Sequence, residues 1–179
     1  MVKSAYSFAT KKEKVESHII VVWVDNESGV LARVVGLFSG RGYNIDSLAV
    51  AEVDKKKNIS RITIATSGTP QVLQQIKLQL GKLVPVHKVA DFPQNKKTLM
   101  REMALLKIIS SKTQLEKANK LCKKYKHTLL DRTEKSFVLE VSALKKEIDE
   151  LIKKLQPLGL ASVSRTGVVA MTKGPEIYK

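Results

Sequence analysis

Apolar positions along the chain fall into short runs and helical stripes that alternate, and the alternation occurs twice. Residues 19–24, Ile-Ile-Val-Val-Trp-Val, form a short, mostly β-branched run that ends in the turn-rich Asp25, Asn26, Glu27, Ser28, Gly29. This is the pattern of a buried strand followed by a tight turn. Val30, Leu31, Val34, Leu37 and Phe38 then recur at helical spacing. Ser28 stands where an N-cap is needed, and Gly40, Arg41, Gly42 where the helix should stop. Residues 45–53 read as a second strand, 55–58 as a Lys-Lys-Lys-Asn turn, and 59–66 as a third strand with Ile62 and Ile64 on one face. The last two strands should pair as a hairpin. Thr69 and Pro70 suit the N-cap and first position of a helix carrying Val72, Leu73, Ile76, Leu80 and Leu83. Residues 84–92 close the unit as a strand, with Pro85 tolerable near its start.

The order βαββαβ predicts an α+β, ferredoxin-like unit, four antiparallel strands with two helices on one face. After the polar run 93–97 the plan returns. Residues 103–109 read as a strand, and Leu115, Ala118, Leu121, Cys122 and Tyr125 trace one face of a Lys-covered helix. Residues 128–131 and 137–141 read as a hairpin. Leu144, Ile148, Leu151, Ile152 and Leu155 mark a second helix, ended by Pro157 and Gly159, and 160–171 supplies the last extended segment. The expected organisation is a flexible extension over 1–17, a first domain over 18–92, a linker over 93–98, a second ferredoxin-like domain over 99–172, and a tail over 173–179. Domains of about 75 residues have small cores and gain from pairing with another chain.

Composition changes this picture little. The chain of 179 residues is 43% hydrophobic and 27% charged, ordinary for a folded protein. No stretch approaches eighteen uncharged apolar residues, which excludes a membrane-spanning helix. A single cysteine, Cys122, allows no internal disulfide, and three scattered His with no HExxH or paired CxxC give no metal-site spacing. A reducing, cytoplasmic location is the expectation, organellar only if the extension is a processed remnant. The net charge of +15 invites nucleic acid as a partner, but its placement argues otherwise. Residues 18–92 carry 9 basic and 6 acidic groups, whereas 93–179 carry 19 and 9. Only 6 of the 32 basic residues are Arg, the residue of planar bidentate recognition. The Lys excess reads as solvated helix faces, or as a surface for an acidic partner.

No catalytic constellation stands out. Ser39 and Ser47 have no GxSxG context, Cys122 lies on an apolar helix stripe as an inert buried thiol, and His18, His87 and His127 read as structural. The informative feature is the first strand-to-helix turn. The first amides of a helix have no internal partner and present positive dipole, so a carboxylate could dock there. Gly29 would allow close approach, and Asn26 offers a donor and an acceptor, as a small zwitterion requires. Asn44, after the helix, could offer the same pair, from this chain or from a neighbour. Spacing alone favours the plainer reading, Gly29 as a turn glycine and the two asparagines as capping or turn residues.

Several blocks resemble a known family. Residues 26–34 (Asn-Glu-Ser-Gly-Val-Leu-Ala-Arg-Val), 36–39, 41–48 (Arg-Gly-Tyr-Asn-Ile-Asp-Ser-Leu) and 60–64 are similar, nearly word for word, to the N-terminal ACT domain of the regulatory (small) subunits of acetolactate synthase, also called acetohydroxyacid synthase. Residues 82–89, 101–108 and 165–171 look like later blocks of the same subunit, in the same order. The resemblance implies a non-catalytic chain that activates a separate catalytic large subunit and confers feedback inhibition by valine in branched-chain amino acid biosynthesis. It implies no cofactor on this chain, with thiamine diphosphate, Mg and FAD on the catalytic subunit. It also implies a homodimer through the ACT domains. The effector site would lie between two chains, with Asn26, Gly29 and Val30 on the turn side and Asn44 and Ile45 facing them. The extension and the Lys55-Lys-Lys-Asn58 turn depart from the family pattern. Leucine or isoleucine are alternative effectors, since a hydrophobic pocket separates such side chains by only about 1 to 3 kcal/mol. Another ACT-type amino-acid sensor is the nearest competing function. An RNA-binding protein shares the strand order but needs stacking aromatics on the third strand, and Ser60-Arg-Ile-Thr-Ile-Ala-Thr66 has none.

Overall fold

The computed structural model describes residues 14–92, 98–175 and 177. The run 93–97, residues 1–13 of the expected extension and parts of the tail lie outside the described residues. Two antiparallel sheets carry the fold. In the first, β1 (Glu16–Asp25), β2 (Ser47–Asp54), β3 (Ile59–Gly68) and β4 (Val86–Phe92) lie in the order β2-β3-β1-β4, with α1 (Val30–Ser39) and α2 (Pro70–Leu80) between them in sequence. In the second, β5 (Thr98–Ile109), β6 (His127–Arg132), β7 (Ser136–Ala143) and β8 (Leu160–Arg165) lie in the order β6-β7-β5-β8, with α3 (Lys112–Cys122) and α4 (Lys145–Leu155). Both are the α+β, ferredoxin-like arrangement expected from the periodicity.

Each sheet buries one face under its helices. Ile20, Val22, Val24, Ile62 and Ile64 meet Val30, Val34, Leu37 and Phe38 of α1 and Leu73, Ile76 and Leu80 of α2. These are the alternate strand positions and helical stripes of the sequence, so the hydrophobic effect selects this register. In the second unit Ala104, Leu106, Ile108, Leu139 and Val141 pack on Leu115, Ala118, Cys122, Ile148, Leu151 and Leu155.

Several boundaries differ from expectation. β1 begins at Glu16, two residues inside the segment read as extension, and pairs along its whole length with β3. β4 begins at Val86, so Pro85 precedes it and offers its carbonyl to Asp25 N at 2.9 Å. β2 begins at Ser47 rather than at residue 45, and α3 ends at Cys122, with Tyr125 packed beyond it. α1 is capped at Gly29, with φ 83°, and not by Ser28. Thr69 caps α2 as expected, accepting from Val72 N.

The largest correction concerns the last segment. It is not one strand: β8 ends at Arg165, and β9 (Val169–Thr172) pairs with Thr98–Arg101, the first third of a β5 longer than expected. This second short ribbon covers the back of the first sheet. Ile19, Val21, Ala65, Ala90 and Phe92 pack there on Val168 and Ala170, with Trp23 and Met100 at the margin. Arg61 pins the contact, its guanidinium lying 5.4 Å from the Trp23 ring centre and 5.8 Å from that of Phe92 and donating through Nη2 to the Ala170 carbonyl. β1 reads as a continuous apolar run because both of its faces are covered.

Candidate functional site

The β1–α1 turn is built by side chains of the neighbouring strand. Asn26 donates its backbone N–H to the Asn58 carbonyl at 2.8 Å, and Asn58 Nδ2 donates back to the Asn26 carbonyl at 3.2 Å. Ser60 Oγ, on a residue 5% exposed, donates to Asn26 Oδ1 at 3.0 Å. That bond occupies the amide oxygen of Asn26, an exposed residue whose NH2 group can donate to a ligand. Gly29 is exposed, and a Cβ built on it meets nothing within 4 Å. The space in front of the helix end is therefore open. Val30 is 4% exposed and belongs to the core, and its N–H faces the Glu27 carbonyl at 3.3 Å. It shapes the turn from behind. Between the bonded amides of Val30 and Arg33, those of Leu31 and Ala32 make no backbone hydrogen bond among the described residues, as is usual in the first turn of a helix. Leu31 is 41% exposed and is the aliphatic surface next to them.

The second set of residues lies at the other end of α1. Asn44 accepts from Thr66 Oγ1 through its carbonyl at 2.6 Å, and its Nδ2 donates to Asp46 Oδ1 at 2.6 Å. Ser67 Oγ donates to Asp46 Oδ2 at 2.8 Å, and Asp46 N donates to the Ala65 carbonyl at 2.8 Å. Ile45 is half-buried against the helix-side core. Asn26 is thus tied to Ser60 and Asn44 to Thr66, six residues and about 20 Å apart along β3. One chain does not bring the five residues together. Ser60, Thr66, Asp46 and Leu31 were not singled out from sequence. The first three act through hydrogen bonds set by strand register, which no local spacing reveals.

The remaining candidates have structural partners. His18 Nδ1 lies 2.9 Å from Asp91 Oδ1, and Lys77 Nζ donates to the same carboxylate. His87 Nε2 lies 2.6 Å from Asp25 Oδ1, and His127 Nδ1 lies 3.0 Å from the Tyr125 carbonyl. Cys122 is fully buried, and burial pushes its thiol up to about 11. Among the described residues no group of three or more His, Cys, Asp or Glu is placed to hold a metal ion.

Comparison with known proteins decides the family. The family described as the AHAS small subunit-like ACT domain matches residues 20–88, and the one described as the small subunit of acetolactate synthase matches 101–174. The chain belongs to the acetolactate synthase small-subunit family. It is 36% identical to the acetolactate synthase isozyme 3 small subunit of Salmonella typhimurium, over 90% of this chain and 98% of that one. With the small subunit of Aquifex aeolicus it shares 35%, over 91% and 84%. The crystal structure of the small subunit from Thermotoga maritima superposes with a TM-score of 0.81 at 29% identity, over 90% of this chain and 99% of that one. The small-subunit family thus spans both sheets, and the split placement of the turn and of Asn44 occurs within its ACT domain.

Proposed function

We propose that this chain is the regulatory subunit of an acetolactate synthase, that it activates a catalytic large subunit, and that valine bound between two ACT domains inhibits the assembly. The observation that carries the reading is the separation of the two polar sets on a turn and a strand approach held rigid by Ser60 and Thr66. A second copy can supply the missing half. The outer edge of β2 suits that role: among the described residues it pairs on one side only, with β3, and it exposes Val50 (44%) and Val53 (52%). Unpaired edges of this kind are templates for strand pairing.

In this reading the valine carboxylate lies against the amides of Leu31 and Ala32, where the helix dipole is positive. Its ammonium is shared by polar oxygens of the facing chain, and Ile45 and Leu31 flank its side chain. Asn26 and Asn44 orient the zwitterion. The chain supplies no reacting group, and the chemistry belongs to the catalytic subunit with its cofactors.

Mixing this chain with a catalytic subunit should raise acetolactate formation above that of the catalytic subunit alone, and valine should lower it again. Valine at about 100 times its Kd should add about 2.7 kcal/mol to the isolated protein's stability, seen as a rise in Tm. Gly29→Asp places a carboxylate in the open space before the helix and should abolish that rise. A Tm indifferent to valine, leucine and isoleucine would overturn the assignment of the site.

A further inference from the structure

The second unit reaches the first beside the approach to β2. The Val168 N–H points at Ser47 Oγ, 3.4 Å away, and a Cβ on Gly167, whose φ is 79°, would stand 3.1 Å from Ser47 Cβ. Only glycine permits that backbone conformation together with that approach. Ser47 follows Asn44 by three residues, and the intervening segment is already tied to β3 through Thr66, Ala65 and Ser67. The segment is therefore held between two walls, β3 on one side and residues 167–168 on the other.

Behind Gly167 the turn is anchored to the second sheet. Thr166 N donates to the Met103 carbonyl at 3.1 Å, and Met103 N donates to Thr166 Oγ1 at 3.2 Å. Arg165 donates through Nε and Nη2 to the two oxygens of Glu102, at 2.7 and 2.8 Å, and through Nη1 to Asp149 of α4 at 2.6 Å. Glu102 is 3% exposed. A bidentate guanidinium–carboxylate pair is geometrically stiff, and this one, with the single bond to Asp149, joins the turn to both β5 and α4. A cleft of about 460 Å³ between the two units is bounded by Asp46, Ser47, Glu102, Lys145 and Arg165.

Resting on the reading of Asn44 and Ile45 as half of the effector site, we infer that the turn Arg165-Thr166-Gly167 couples that half to the second domain and carries its occupancy there. A ligand held by Asn44 fixes the backbone of residues 44–47. Ser47 then presses on, or withdraws from, a glycine that has no side chain with which to yield. The displacement is passed to residues clamped on β5 and α4, since close-packed contacts transmit small shifts and do not absorb them. Gly167 and Ser47 touch no ligand in this arrangement and act through Asn44 and Ile45.

The test separates binding from response. Gly167→Ala in the full chain should bind valine within about threefold of wild type by calorimetry and should activate the catalytic subunit normally. Its half-inhibitory valine concentration in the reconstituted enzyme should rise about tenfold, the scale of a coupling energy. Ser47→Ala, which removes the Val168 acceptor without adding bulk, should shift it in the same direction by less. Ser47→Gly combined with Gly167→Ala removes the Cβ that the new methyl would meet and should restore part of the response. Inhibition of Gly167→Ala and Ser47→Ala indistinguishable from wild type would overturn the inference, as would a parallel loss of binding and inhibition. A wild-type chain that binds no valine would instead overturn the underlying site.

Discussion

At the scale of single residues, the side chains that set the site are small and buried, and their contribution is orientation. Ser60 is the clearest case. It touches no ligand in the proposed site, yet its hydroxyl decides which way the Asn26 amide faces. Ser60→Ala should lower valine affinity about fivefold, the worth of about one net hydrogen bond, with little change in fold, as titration calorimetry would read. Cys122 is the opposite case, a buried side chain that acts only through packing. Its thiol is raised from 9.0 to about 11 by burial. The unfolded chain therefore loses its proton first as pH rises, and the raised folded value means that stability is intact below pH 9 and drains away between 9 and about 11. The loss should reach about 3 kcal/mol. Denaturant melts across that range should show the wild type losing about this much stability relative to Cys122→Ala, and a thiol reagent at pH 8 should label the protein only as it unfolds.

At the scale of elements, the strands and helices follow from periodicity, because each helix has one apolar stripe and each central strand an apolar run or alternation. The stripes Val30, Val34, Leu37, Phe38 and Leu73, Ile76, Leu80 form the cores they implied. What was not legible is what a second element must supply. The continuous run in β1 shows that both faces are covered but not by what, and the cover turned out to be β9 with the start of β5. The turn motif at Asn26–Val30 was visible as a pattern, whereas its orientation by Ser60 depends on β1–β3 register. Arg61 joins these levels: on β3 it reads as an ordinary exposed strand cation, but between Trp23 and Phe92 it bonds the backbone of β9. Arg61→Ala should cost about 2 kcal/mol through lost stacking and a lost carbonyl partner. Arg61→Lys should recover little of it, because an ammonium lacks the planar fork. Faster hydrogen exchange at residues 168–172 would locate the loosening in β9, and unchanged exchange there would refute the role.

At the scale of the whole molecule, the +15 charge that first suggested nucleic acid lies mostly in the second half, outside the segment that holds the site motifs. The more consequential property is that one chain keeps Asn26 and Asn44 at opposite ends of α1. In the proposed dimer two chains then make two sites, each taking its turn from one chain and its strand approach from the other. Gly29→Asp spoils only the turn half, and Asn44→Ala only the facing half. A homodimer of either variant then has no intact site. In a heterodimer of the two, one site collects both defects and the other is whole, as two-fold symmetry requires. Equimolar subunits that exchange at random give heterodimers as half of all dimers, so about a quarter of the sites should regain valine binding. Calorimetry before and after mixing measures this directly. Recovery after mixing requires a site shared between chains, while two inactive variants that stay inactive together, with subunit exchange verified by a mass-tagged chain, would place the whole site within one chain.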